Sequence, residues 1–121
     1  MHYAHALVSP ILWVRQEWFT IKMSIEHSIS FSPKALHPIV GVVLQLASAA
    51  VLRTSVARPA PWLIVLALEL ANEWTDLTME VWPNRSDQIF GSVQDTLLTM
   101  VLPTLLLLTA RYYPSVLRSS R

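Results

Sequence analysis

A chain of 121 residues, 53% hydrophobic and 14% charged with a mean hydropathy of +0.43, has room for one domain and lies outside the usual soluble range. A net charge of +1 without a run of Lys or Arg excludes bulk electrostatic binding of nucleic acid. Zero cysteines exclude a disulfide framework, a thiolate nucleophile and a Cys-based zinc site, and two glycines exclude phosphate-cradling loops of the Walker and dinucleotide types.

The first stretch, MHYAHALVSPILWVRQEWF, lacks a basic leader region, and its apolar run meets Arg15 and Glu17 without a small-residue cleavage site, so it is expected to stay in the mature chain. Ser9 and Pro10 read as N-cap and first position of a helix over 10–22. Leu7, Ile11, Val14 and Trp18 share one face while Arg15, Gln16, Glu17 and Lys22 fall largely elsewhere, the pattern of an amphipathic helix in a membrane interface, with Trp13, Trp18 and Phe19 at headgroup depth. SIEHSISFSPK then reads as a polar connector.

From 35 to 52 the chain is apolar apart from His37, Gln45 and Ser48, about 27 Å of helix and a first predicted transmembrane segment. RTSVARPAP is a short basic loop. A second segment over 62–82 is bracketed by Pro61-Trp62 and Trp82-Pro83, and the twenty helical steps between the tryptophans rise about 30 Å, the separation of two aromatic belts. NRSDQIFGS reads as the next loop, and Ser92 with Asp95 is expected to cap a third segment over 93–113, in which Pro103 predicts a kink and Arg111, Tyr112 and Tyr113 an interfacial anchor. Met23, Met79 and Met100 read as filler between packed helices.

The sequence thus predicts an all-α integral membrane protein, one membrane domain over 1–121, made of an N-terminal interfacial helix and a three-helix transmembrane bundle. Five arginines, at 53, 58, 111, 118 and 121, lie without an acid on the side of the first loop and the tail, against Arg15, Lys22, Lys34 and Arg85 among acids on the other. By the positive-inside rule the C-terminus is expected to be cytoplasmic and the amphipathic helix outside. The expected location is a membrane, the bacterial inner membrane.

The second segment contains Glu69, Glu73, Asp76 and Glu80, spaced four, three and four, so all four carboxylates fall within about 60° on one helix face. On an insertion scale Glu69, Glu73 and Asp76 cost roughly 8 to 10 kcal/mol, against about 2.5 to 5 kcal/mol regained from the eight Leu, Ile and Val residues between Trp62 and Trp82. A lone helix facing lipid is therefore excluded. The acids must face protein or water, or be partly neutralised. Taking the second helix as antiparallel to the first, Lys34, His37, Asp76, Glu80, Arg85 and Asp95 are expected to gather at one mouth of the bundle. Asn72 and Glu73 are expected deeper and Glu69 deepest, on the opposite half, with no cation at the depth of Glu73.

Such a cluster is either an ion-pair network that fixes helix register or a site for an ion, lipid or substrate. No catalytic residue is predicted, since Ser, His and Asp occur without a nucleophile elbow or a positioned triad. No metal or cofactor is predicted either: His2 and His5 stand three apart at the terminus without acidic company.

KALHPIVG with Lys34 and His37, the helical Glu69, RSD with Arg85, Ser86 and Asp87, and Asp95 opening the last helix resemble the K-x-x-H, Glu and R-S-x-x-D elements of the VanZ-like family of small membrane proteins, over roughly 34–110. That resemblance implies a polar cluster near one membrane surface, and a link to resistance against cell-wall-targeting glycopeptides. The function expected is that of a small non-enzymatic membrane protein, VanZ-like or an accessory subunit packed in a larger membrane complex through its acidic helix face. Lipid and other membrane subunits, or self-association, are the expected partners. Two alternatives stay open: an oligomeric proton-coupled transporter using Glu73 or Glu69, and a soluble helical bundle in which the stripe is the solvated face.

Overall fold

The computed structural model describes residues 3–28 and 33–118, and all of their regular structure is helical. Helix α1 spans Tyr3–Ser28, α2 Pro33–Val51, α3 Pro59–Met79 and α4 Arg85–Tyr112, followed by the four-residue α5, Pro114–Leu117. Helices α2, α3 and α4 pack against one another pairwise, and α1 lies across α3. Two helices are long and apolar enough to cross a membrane, α2 from Lys34 to Val51 and α4 from Arg85 to Tyr112. α3 has comparable length but carries Glu69, Glu73 and Asp76.

The element bounds differ from the sequence reading in three informative places. α3 spans Pro59–Met79 where the sequence predicts 62–82, because the backbone turns extended at Glu80, so Trp82 lies beyond the helix. α1 begins before Pro10 and continues past Lys22 to Ser28, so Ser9-Pro10 is helix interior and the first part of the expected connector is a further turn. His2 and residues 29–32 lie outside the described residues, as does the side chain of His5. α4 begins eight residues earlier than expected, because the cap is Asn84, whose side-chain oxygen accepts from the backbone N–H of Ser86 at 2.9 Å and Asp87 at 3.4 Å. Ser92 and Asp95 are therefore helix interior, and with Arg85, Gln88 and Thr99 they mark one stripe at spacings of three and four.

α2 and α4 run parallel, joined along a close seam. An added Cβ at Gly41 would lie 2.3 Å from the Thr99 carbonyl oxygen and 3.1 Å from Pro103 Cγ. The Thr99 carbonyl has lost its helical donor because Pro103 has no N–H, so the absence of a side chain at Gly41 lets the α2 backbone approach the exposed oxygen. One turn on, the fully buried Gln45 donates from Nε2 to the Pro103 carbonyl at 3.0 Å. α3 runs antiparallel to both, and Trp62 Nε1 donates to Thr104 Oγ1 at 2.9 Å near its start.

The α2–α3 turn uses a left-handed residue at Arg53, φ 51°, with Thr54 N–H to Ala49 O at 2.9 Å and Arg53 N–H to Ala50 O at 3.1 Å, a Schellman closure. At the opposite end, Arg85 Nη1 donates to the Leu77 carbonyl at 2.8 Å and Gln88 Nε2 to the Glu80 carbonyl at 2.9 Å. The first turns of α4 thereby satisfy carbonyls that α3 leaves open at its C-terminus.

Polarity is distributed inside out. Among the described residues the buried polar side chains are Gln45, Glu69, Glu73, Thr75, Gln88 and Thr99, against Ala49, Val65 and Met100 as buried hydrophobic ones. On the outside, Val43, Leu46, Leu63, Leu70, Leu97, Val101 and Leu105 are each at least half exposed. A soluble bundle buries its apolar stripe and hydrates its polar one.

Candidate functional site

The acidic stripe of α3 divides as the helix turns. Glu69 and Glu73, 8% and 5% exposed, point into the seam between α2 and α4. His37 enters from α2, with Nδ1 3.4 Å from Glu69 Oε1 and 2.9 Å from the Thr99 hydroxyl, while Nε2 lies 3.7 Å from Asp95 Oδ2. Thr99 Oγ1 donates in turn to the Asp95 carbonyl at 2.8 Å. Glu73 accepts from Asn72 Nδ2 at 3.4 Å and lies beside Ser92. The site is thus one imidazole among three carboxylates, contributed by three helices.

The other predicted residues surround this centre without joining it. Asp76 turns to α1 and pairs with Lys22. Asn72 accepts from Trp18 Nε1 at 3.3 Å, and Arg15 reaches Thr78 Oγ1 at 3.3 Å with its guanidinium 5.6 Å over the Trp74 ring. α1 therefore covers the flank of α3 that α2 and α4 leave open, and Trp18 is engaged in a protein hydrogen bond. Lys34 donates to Gln94 Oε1 at 3.0 Å, and Glu80 accepts from Trp82 Nε1 at 3.1 Å. Among the described residues Arg85 pairs with no carboxylate: it bonds the Leu77 carbonyl and, at 2.9 Å, Gln88 Oε1.

Two depth assignments need correcting. Glu69 is level with His37, not in the opposite half, and Glu73 has His37 within reach. The cause is an offset between helix ends. Glu80 meets Gln88 while Lys34 meets Gln94, six residues further along α4, so α2 starts about 9 Å deeper than α3 ends. His37 consequently faces Glu69 where aligned ends would have set it against Asp76.

A cavity of about 90 Å³ runs from the rim at Lys34 and Glu80, past Asp76 and Gln88, to Glu73 and Asp95. It is roomy enough for several water molecules and lined with groups that hydrogen-bond them. The acids are thus covered by the chain's own helices and by space for water. Comparison with models of known protein families, with curated proteins and with solved structures finds no match. Of Lys34, His37, Glu69, Arg85 and Asp95, the structure brings His37, Glu69 and Asp95 together.

Thr99, Gln88 and Gly41, which the sequence reading missed, complete the seam together with Gln45, which it read as part of the polar stripe of the first helix. Thr99, Gln45 and Gln88 are buried polar side chains on inward faces, and Gly41 is the contact that brings α2 to α4. Their signal was present in the spacing: 34, 37, 41 and 45 on α2 and 85, 88, 92, 95 and 99 on α4 are both helical stripes.

Proposed function

We propose that the chain is a small, non-enzymatic integral membrane protein of the VanZ-like kind, in which α2, α3 and α4 cross the bilayer and hold a polar binding site near one membrane surface. The observation that carries this is the inverted polarity: buried Gln, Glu and Thr side chains at the seam, and Leu and Val outside. In water that surface would be an aggregation hazard; in lipid it is the favourable one. The acids that exclude a lone α3 from lipid are supported by His37, by Lys22 and by a cavity with room for water.

The same geometry favours an autonomous bundle over a subunit docked through its acidic face, because that face is filled by α1, α2 and α4 of the same chain. Contacts with other subunits or a second copy would use the apolar outer faces. The bias of Arg53, Arg58, Arg111 and Arg118 supports a cytoplasmic C-terminus, with the polar mouth and α1 on the opposite side.

Fractionation is the first test. The full chain should stay in the membrane pellet through alkaline carbonate and enter solution only with detergent; recovery in the soluble fraction without detergent defeats the proposal. A VanZ-like role further implies that expression in a susceptible bacterium raises tolerance of glycopeptides, and that His37→Asn removes the increase. Unchanged tolerance in a strain with verified membrane expression would reject the VanZ-like half of the proposal.

A further inference from the structure

We propose that His37, Glu69 and Glu73 bind a divalent first-row transition-metal ion at the seam of α2 and α3. The proposal rests on the preceding one, in which the seam is a binding site, and names the chemistry of its ligand.

One ligand atom from each of the three residues lies within 4.8 Å of the others. A divalent ion with bonds of about 2.0–2.2 Å sets neighbouring ligand atoms roughly 3–4 Å apart, so modest side-chain movement closes the site. Helical bundles build metal sites in their interiors from inward carboxylates and imidazoles on facing helices, and here Glu69 and Glu73 of α3 face His37 of α2. The remaining ring nitrogen of His37 faces Asp95 Oδ2 at 3.7 Å, so Asp95 can orient the imidazole from behind, as carboxylates do for metal-bound histidines. The Thr99 hydroxyl directs its proton to the Asp95 carbonyl, so without an ion its lone pair accepts from His37 Nδ1–H; metal binding would replace that proton and leave the ring N–H on Nε2, towards Asp95.

An independent observation points to a cation as the ligand. Glu69 is more than nine-tenths buried, and its Oε1, which faces His37, makes no hydrogen bond; Asp95 Oδ1 is buried and unpartnered as well. A buried carboxylate oxygen without a donor is costly. The nearby bases do not supply the charge. Lys34 is directed to Gln94, Lys22 to Asp76, and Arg85 to the Leu77 carbonyl and Gln88. Among the described residues no Lys or Arg is directed to Glu69, Glu73 or Asp95, and a dication beside His37 offsets the excess.

The cavity from the rim to Glu73 gives an entry lined by Glu80 and Asp76. With one imidazole, carboxylates and no thiolate, the donor set suits Zn²⁺, Co²⁺, Fe²⁺ or Mn²⁺ and disfavours soft Cu⁺.

The test uses the full chain with His2 and His5 changed to Asn and a tag free of histidine, purified in detergent, stripped with chelator and equilibrated with Zn²⁺ or Co²⁺. Elemental analysis should give one Zn²⁺ per chain, and Co²⁺ should show visible absorption bands of a low-symmetry site. His37→Asn and, separately, Glu73→Gln should weaken binding by at least the roughly 10- to 100-fold that loss of an outer-shell partner costs, whereas Asp87→Asn should leave it unchanged. Circular dichroism identifies any variant that has lost its helices, and Glu73→Gln decides the matter should His37→Asn unfold. A folded, monodisperse chain that takes up no Zn²⁺, or binds it equally well in both variants, overturns the proposal and leaves an imidazole held between carboxylates as the role of the cluster. Retention in carbonate-washed membranes without metal binding defeats the metal site alone; stoichiometric Zn²⁺ on a chain soluble without detergent defeats the membrane proposal alone.

Discussion

His37 of α2 and Glu69 of α3 stand 3.4 Å apart, Nδ1 to Oε1, and link one of the two helices long and apolar enough to cross a membrane to the one with the most acids. Removing one member of a buried charged pair strands the other, at a cost of roughly 3–5 kcal/mol, whereas removing both relieves the stranded group. His37→Leu and Glu69→Leu should each lower the midpoint of thermal unfolding in detergent, and the double variant should lose less than the sum. The double-mutant cycle checks this, with a coupling on the order of 1–3 kcal/mol expected. Strict additivity would mean that the two side chains do not interact.

The seam between α2 and α4 depends on the missing side chain of Gly41. A Cβ there would meet the backbone oxygen of Thr99 at 2.3 Å, and a backbone atom cannot swing aside as a flexible side chain does. Gly41→Ala should therefore destabilise the bundle by about 1–3 kcal/mol through overpacking, in spite of the better helix propensity of Ala. Unfolding in a denaturant series reads the sign. An Ala variant as stable as the parent would show that the two helices are further apart than described.

What the sequence made legible, and what it hid, follows from local signals and their limits. Pro61 marked the start of α3 because proline placement acts within one helix, but the helix ends at Met79, so Trp82 lies beyond it and the twenty helical steps expected between the two tryptophans are not made. The start of α4 was hidden because Asn, Ser, Asp and Gly are turn formers in isolation, while here Asn84 is a cap and Gln88, Ser92 and Asp95 are polar because they face the seam. The pairing of His37 with Glu69 depends on the offset between helix ends. That offset is set by Gly41 packing on Thr99 and by Gln45 reaching Pro103, contacts between residues about sixty apart that no periodicity encodes.

Arg53 occupies the left-handed position of the α2 C-terminal turn with φ 51°, where a side chain costs free energy that glycine avoids. Arg53→Gly should stabilise the folded state by about 0.5–1 kcal/mol, since both closing hydrogen bonds, from Thr54 and Arg53, are made by the backbone and are retained. A rise in the unfolding midpoint of a few degrees is the expected readout. A fall would show that the Arg53 side chain contributes more than the backbone strain removes.

The chain contains no cysteine, so single cysteines report sidedness without background. Asn84→Ala would lose the cap of α4, but Pro83→Cys leaves it in place beside the polar mouth, and Ser55→Cys sits in the opposite connection. A membrane-impermeant maleimide added to intact cells should label the cysteine at 83 and leave that at 55 unlabelled until the membrane is opened. Labelling of 55 alone from outside reverses the orientation drawn from the arginines; labelling of both in intact, impermeable cells rules out three crossings.

The hold of α1 on the bundle is concentrated in polar pairs with α3: Lys22 with Asp76, Trp18 with Asn72, and Arg15 with Thr78 and the Trp74 ring. Ile11, Val14, Ile21 and Ile25 are exposed, so little apolar burial against the bundle supports these contacts. A partly buried ion pair among so few contacts should decide whether α1 stays docked, although its contribution is only about 1 kcal/mol. Asp76→Asn should raise the rate of tryptic cleavage after Arg15 and Lys22 severalfold while leaving unfolding of the α2–α4 bundle nearly unchanged, because local detachment and global unfolding are separate openings. High salt should do the same to the parent chain, to a lesser degree, by screening the pair. Cleavage at an unaltered rate in the Asn variant would place the hold of α1 in the Trp18 and Arg15 contacts instead.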